Sequence, residues 1–457
     1  MRRLEALVRH PVAIAGALIT TASAVVFIAL VIAEFLGLFA NPYSGLVVFI
    51  AIPAVFLFGL LLIPLGMWLE QRRLQRDPTG PAGWPVIDLG QPVVRRRVLL
   101  FTALTAVNLV VLLIAGYGSL HWMESPTFCG QACHTPMEPQ FTAWQNGPHA
   151  KIACVRCHIA EGAQGFVQAK LAGTRQLAHV ITNSVPKPIP PGAHMAPGGQ
   201  AQTCLECHQP HRVVGDPVHV FREFADDEGN TEATTILKMH LGGPASEGRS
   251  IHWHADPANR VEYVATGSDR QTIIYVKATD ARGQVKEYRA ADVTDQAINS
   301  GVRRTMDCID CHNTVGHPFA GAAEKGVDRT IASGQMSPTL PFARREGVRL
   351  VTAAYPSHEA AVSAIDQGFR DFYKTQSNVD QQAVGRASTA LQGLYTRTIF
   401  PTMKVTWGAY PDNRGHITSP GCTRCHDDEH KAKDGSAISG DCEYCHKEIE
   451  KQPSSSQ

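Results

Sequence analysis

The chain has 457 residues and a formal net charge of +1, from 42 Lys and Arg against 41 Asp and Glu. That length allows two or three domains, and the near-zero balance excludes nucleic-acid binding through bulk positive charge, because no basic excess exists to neutralise phosphates. Only 18% of residues are charged, below the roughly 25% of ordinary soluble domains.

The apolar residues gather at the N-terminus. Residues 11–33, 35–69 and 98–123 contain no Asp, Glu, Lys or Arg. About 20 apolar residues cross a bilayer, so each run predicts a transmembrane helix. The first is too long for the apolar stretch of a signal peptide. Glu34 is expected in the headgroup region at the outer end of the first span. Arg2, Arg3 and Arg9 precede the first span, and Arg72, Arg73, Arg76, Arg95, Arg96 and Arg97 crowd the segment after the second. The turn at Asn41-Pro42 has no Lys or Arg. The positive-inside rule therefore puts the N-terminus and a 70–97 loop in the cytoplasm, and everything after about residue 123 outside. Pro78, Pro81, Pro85 and Pro92 make that loop an irregular connector.

All 12 Cys lie in the exported part. Cys154–His158, Cys204–His208, Cys308–His312, Cys422–His426 and Cys442–His446 each read C-x-x-C-H, the pattern of c-type haem attachment. Two thiols bond the porphyrin edge and the adjacent His reaches the iron. Zinc ribbons do not demand that His. Cys129-Gly-Gln-Ala-Cys133-His134 has one extra residue between its thiols and is taken as a sixth site, against a structural disulfide. Six sites use Cys129, Cys133, Cys154, Cys157, Cys204, Cys207, Cys308, Cys311, Cys422, Cys425, Cys442 and Cys445, leaving none for a disulfide or a nucleophile. The proximal ligands are then His134, His158, His208, His312, His426 and His446.

Six porphyrins would supply much of the core that residues 124–457 otherwise lack, so the haem-free protein is expected not to fold stably. Surplus His residues are numerous enough to close every iron. His416 and His430 are candidates for haems five and six, with His358 in reserve, and Met137 is a candidate thioether ligand beside His134.

Other elements follow in order. Residues 161–183 suit a helix carrying Phe166 and Lys170 on one face. Residues 185–202 are rich in Pro and Gly and read as an extended linker. Val261–Val264, Thr272–Val276 and Val285–Tyr288, with a turn at Asp280–Gly283, predict a small antiparallel β insertion. His252 and His254 just before it could cap a haem. Ser357 is a plausible helix N-cap, and Ile365, Phe369 and Phe372 form an i, i+4, i+7 face of a packed helical hairpin. Residues 452–457 read as a disordered tail. The fold class is mainly α: a three-helix anchor over 1–123, a four-haem domain over 124–320 with a β insertion at about 243–303, and a hairpin plus two-haem domain over 321–457.

These motifs resemble the NapC/NirT/NrfH family of membrane-anchored multihaem quinol dehydrogenases over roughly 124–320. In that family a Met close after the first motif ligates iron, which matches Met137. A Lys twelve residues after the second haem His lies near the quinol, which matches Lys170. The resemblance implies His317 as ligand of the second haem, His149 of the third and His240, in the pair Met239-His240, of the fourth. The chain departs from the family in its three spans, its longer first motif, its insertion and its two extra haems. Leu177 stands where an acidic residue is usual. Longer inner-membrane cytochromes of this kind from metal-respiring bacteria are similar in layout.

The function so implied is oxidation of membrane quinol, most simply menaquinol, at the bacterial inner membrane. Electrons pass through six c-type haems to a periplasmic or outer-membrane-directed acceptor protein. Two other readings stay open. One is a terminal reductase with an open haem iron; the other is a relay anchor whose separate membrane subunit oxidises quinol.

Overall fold

The computed structural model describes residues 10–36, 47–75, 89–160, 162–191, 200–209, 215–242 and 250–452. It divides into two compact units, Met1–Cys133 and His134–Gln457.

The first unit contains three helices long and apolar enough to cross a membrane: Pro11–Ala33, Val47–Arg73 and Pro92–Met123. Arg72 and Arg73 fall in the last turn of the second helix, which runs to Gln75, where cations oppose the negative end of the helix dipole. The third helix opens on Pro92, a residue suited to a first turn because its missing N–H has no partner there. Helix therefore takes both ends of the stretch expected as a loop. Pro78, Pro81 and Pro85, the Asn41-Pro42 turn and the side chain of Glu34 lie outside the described residues.

Helices one and two approach closely at small residues. A Cβ on Gly66 would lie 2.4 Å from the Ala13 backbone nitrogen, and one on Gly59 would lie 2.8 Å from that of Thr20. Lipid offers no hydrophobic drive for helix association, so backbone proximity through small residues does that work. Large side chains such as Leu61 and Leu113 face outward.

The second unit has a helical part and a β part. Helices Ala323–Ala332, Ala343–Val351, His358–Lys374 and Gln381–Thr398 enclose Val327, Leu350, Ile365, Phe369, Tyr373 and Leu391, all buried in one cluster. Ser357 caps the third of these, its hydroxyl accepting from the Ala360 N–H at 3.2 Å. Ile365 and Phe369 are fully buried on the expected face, and Phe372 packs at its edge. This part contains none of the cysteines, and its core is ordinary side-chain packing. The expectation of a core supplied by haem throughout the exported region therefore does not extend here.

Strands β3 (Arg260–Ala265), β4 (Ile273–Thr279) and β5 (Val285–Arg289) form the expected antiparallel insertion. The Asp280–Gly283 turn is closed by Asp280, whose carboxylate accepts from the N–H groups of Arg282 and Gln284. Strands β6 (Val302–Thr305) and β7 (Lys431–Ala432) extend the sheet to the order β6-β3-β4-β5-β7. A second sheet, β1-β2-β8, joins β1 (Val218–Phe224) and β2 (Glu232–Met239) to β8 (His446–Gln452) at the far end of the sequence. Its register sets Met239 opposite His446. The sequence reading had no strands at these positions, because short β1 and β2 take their partner from the last motif. The start of the Pro-rich linker is pinned: Val185 and Ile189 pack on the Phe400, Met403 and Tyr410 cluster, and the Tyr410 hydroxyl donates to the Ile189 carbonyl at 3.0 Å. Residues 453–457 of the expected tail lie outside the described residues, while Gln452 ends β8.

Candidate multihaem site

Four of the five C-x-x-C-H motifs close as a single tight turn, while in Cys442–His446 the histidine opens strand β8. Cys154, Cys204, Cys308 and Cys422 use their carbonyls to accept from the N–H of the motif histidine, at 2.8–3.1 Å. That turn sets both sulfurs and the imidazole on one local surface. The first motif differs: its extra residue is absorbed in a wider helical turn, Phe128–Ala132. His134 and Met137 then fall three apart in the helix His134–Gln145. They are one turn apart on one face, so they offer the same side of a haem and would not ligate it from opposite sides.

The motif histidines do not stand alone. An imidazole nitrogen sits about 2 Å from a first-row metal ion and its ring centroid roughly 1 Å behind it, so two rings facing across one iron have centroids about 6 Å apart. Among the described residues five pairs have that separation. His158 faces His317 at 6.0 Å, His208 faces His149 at 6.1 Å, His312 faces His252 at 6.5 Å, His426 faces His254 at 5.9 Å and His446 faces His416 at 6.1 Å. The residues therefore fit a haem held between each pair.

Partners of the other ring nitrogen orient the rings. Nδ1 of His149 faces the Val315 carbonyl at 3.1 Å, that of His317 the Gln140 carbonyl at 2.8 Å, and that of His426 the Ser439 carbonyl at 2.9 Å. A donating Nδ1–H leaves the Nε2 lone pair for a metal. Burial pushes His317 down to about 4 and lowers His252, His254, His312 and His446. The neutral imidazole, the form that ligates, is favoured at each.

Two expected ligands are placed elsewhere. His240 follows β2, and its N–H donates to the Cys445 carbonyl at 2.8 Å. Its Nδ1 faces Asp216 at 3.1 Å. The β2–β8 pairing has carried it to the sixth motif, while His312 faces His252. The family-based spacing misplaces it because a hairpin and a loop intervene. His430 is buried with both nitrogens engaged, Nδ1 by the Asp427 carboxylate at 3.0 Å and Nε2 by the Ile273 carbonyl at 3.0 Å. Neither lone pair is left for iron, so His430 is a tie between the last motifs and β4. Nε2 of His358 faces the Ile399 carbonyl at 2.5 Å, again a structural contact. His416 faces the sixth motif, although it precedes the fifth in the chain. The signal for His252 and His254 was present as H-x-H at the entry to the insertion, but nothing local says which motif each meets.

The motifs lie near one another in chain order. Arg156, inside the second, pairs with Glu206, inside the third, at 2.9 Å. Cys204 of the third contacts Cys308 of the fourth. Cys311 of the fourth is pushed up to about 12 by burial, with Cys422 of the fifth adding to the push. Cys422 likewise acts on Cys445 of the sixth. At the fourth and fifth motifs the tie is a buried polar network. Arg424 donates to the Asp310 carbonyl at 2.9 Å and to the Arg270 carbonyl at 2.9 Å. The Asp310 carboxylate takes the Tyr263 hydroxyl at 2.5 Å and Arg270 at 2.8 Å.

Lys170 lies in the helix Gly162–Ile181. Its Nζ sits 5.0 Å over the Phe166 ring. Phe166, Val167, Leu171, Leu177 and Ile181 are exposed, and at 100° per residue they form one stripe with Lys170 inside it.

The comparisons with known proteins agree with this picture. Residues 92–188 match the model of the NapC/NirT cytochrome c family, N-terminal region. The chain is 34% identical over 459 residues to the cytochrome c-type protein ImcH of Geobacter sulfurreducens, across 98% of this chain and 90% of that protein. It is 27% identical over 164 residues to the cytochrome c-type protein Cgr1 of Eggerthella lenta, across 33% of this chain and 61% of that one. No solved structure matches the chain. Three membrane-capable helices, repeated haem-attachment motifs and likeness along almost its whole length lead to one conclusion: the chain belongs to the NapC/NirT cytochrome c family, as a membrane-anchored multihaem c-type cytochrome of electron transfer.

Proposed function

We propose that the protein oxidises a membrane quinol, with menaquinol the favoured species, and passes the electrons through six c-type haems to an acceptor protein in the periplasm. The observation that carries this reading is Lys170 within an exposed apolar stripe. A helix of that pattern lies in the boundary between headgroups and acyl chains, and its Lys stem runs along apolar surface to a polar head. The ammonium there can donate to a quinol oxygen and stabilise the charge that develops as protons leave. The protons go to the outer side, where the positive-inside reading of the arginines puts the exported region.

The residues proposed to hold the haems are the twelve cysteines, with His158, His208, His312, His426 and His446 proximal and His317, His149 and His416 opposite the second, third and sixth. His134 and Met137 are alternatives on one side of the first. When bound, the haems supply one-electron transfer at potentials set by axial ligands and burial. The chain keeps successive motifs near one another in sequence order, which favours a relay from the second to the sixth. The last motif of that relay, whose Cys442 is exposed as Cys157 and Cys207 also are, is the proposed exit to the acceptor because it ends the order. Five histidine pairs favour relay over an open reductase iron. The inner membrane is the proposed location, with the N-terminus cytoplasmic.

The test is anaerobic reduction of the purified protein by a menaquinol analogue, followed at the haem α-band, beside Lys170→Ala. Fast reduction in the native protein and at least about tenfold slower reduction in the variant, roughly 1.4 kcal/mol of transition-state stabilisation, support the reading. Reduction by dithionite but not by quinol would refute it and assign quinol oxidation to a separate membrane subunit.

A further inference from the structure

We infer that His252 and His254, on one turn at the entry to the β insertion, are the distal ligands of the fourth and fifth haems, making that turn a single clamp on two irons. The turn is a 3-10 helix, Ile251–Ala255. At three residues per turn, side chains two apart point about 120° away from each other, so neighbouring histidines of H-x-H serve different irons. The ring of His252 faces His312 at 6.5 Å and that of His254 faces His426 at 5.9 Å.

The turn is held from several directions. Nδ1 of His254 faces the Ile251 carbonyl at 2.9 Å, which leaves Nε2 turned outward for the metal. The His252 N–H donates to the Leu241 carbonyl at 3.0 Å, and Ile251 to that of His240 at 2.8 Å, so the segment just after β2 anchors the turn. Trp253, between the two histidines, packs on the cluster of Val261 and Tyr263. Its carbonyl accepts from Asn259 at 2.9 Å.

Both motifs served by the clamp are fixed to each other from behind. Arg424, inside the fifth, donates to the carbonyl of Asp310, inside the fourth, at 2.9 Å. A shared ligand turn in front and a shared buried network behind hold two haem sites in one geometry. This joins the part of the chain that resembles the four-haem family to the two additional motifs. The β insertion thus has a role: it delivers two ligands and connects two groups of haems.

This inference rests on the haem sites and not on quinol as donor. Its test uses the haem-loaded protein and reads carbon monoxide bound per protein in the ferrous state, which needs no quinol. His252→Ala and His254→Ala should each bind one more carbon monoxide than the native protein, and the double variant two more. If an Ala variant fails to accumulate, His252→Met and His254→Met replace it. Each should show the ferric sulfur-to-iron charge-transfer band of a His/Met haem. The inference is overturned if the Ala variants gain no carbon monoxide, if the Met variants lack that band, or if His240→Ala or His430→Asn gains the site instead.

Discussion

Replacing Asp310 by Ala should be the most costly single change near the haem motifs. Asp310 is 1% exposed. Its carboxylate is shared by the Tyr263 hydroxyl at 2.5 Å, the Arg270 guanidinium at 2.8 Å and the Asp307 N–H at 2.8 Å, with Arg304 at 3.4 Å. Arg270 is itself 8% exposed. Removing the carboxylate leaves that guanidinium buried without its counter-ion, which costs about 3–5 kcal/mol. Tyr263→Phe, which removes one hydroxyl donor to that carboxylate and leaves the ion pair, should cost less, about 1.5–3 kcal/mol, the range for a hydrogen bond to a charged group. The contrast between the two isolates the charge. For a unit as long as His134–Gln457, 1 kcal/mol moves the melting point by only roughly 1–2 °C, so Asp310→Ala should melt about 3–10 °C lower. The assay is thermal loss of the low-spin Soret band of the haem-loaded protein in detergent. Inter-haem electron transfer across the fourth and fifth motifs should also slow. A melting point within about 2 °C of the native value would refute the reasoning. The exposed Arg156–Glu206 pair is a built-in comparison. With side chains 57% and 39% exposed, its loss should cost at most about 1 kcal/mol.

Phe369→Ala should cost about 3–5 kcal/mol, because a fully buried ring leaves a cavity, yet it should leave the haem spectrum unchanged, since its cluster holds no motif residue. A lost low-spin band at an unchanged melting point would contradict this. Gly66→Leu should force the first two spans apart, because the new Cβ would lie 2.4 Å from the Ala13 nitrogen. Overpacking of this kind costs about 1–3 kcal/mol, read as a shortened thermal half-life in detergent; an unchanged half-life would argue against that helix contact. The pairs His149–His208 and His254–His426 have ring planes 89° and 82° apart, against 27° for His416–His446. Electron paramagnetic resonance of the ferric protein should therefore show both strongly anisotropic and ordinary rhombic low-spin signals, and a single class would count against these orientations.

What the sequence determined by itself was whatever depends on near neighbours. Three uncharged runs suffice to name three spans, because a bilayer responds to local apolarity alone. Two cysteines and a histidine within five residues specify a haem attachment turn without outside help. Ser357, Ile365 and Phe369 announce a capped amphipathic helix, and the alternation from Val261 to Tyr288 announces the central β3-β4-β5 strands.

What only the tertiary structure decided was which residues meet from far along the chain. A distal ligand answers to the path of the backbone and not to spacing, so His240, implied by the family resemblance, and His430, chosen from local position, were both placed elsewhere. His240 was carried to the sixth motif by the pairing of β2 with β8, a partner 200 residues downstream in register with nothing local to announce it. His430 offered the residue type and the proximity, but the Asp427 carboxylate and the Ile273 carbonyl occupy both its nitrogens. Hydrogen-bond satisfaction in a buried site is a property of the assembled neighbourhood. The same holds for Asp310 and Arg424. Each sits between two motif cysteines, where sequence alone gives a charged residue no assignment, and only packing makes them one network.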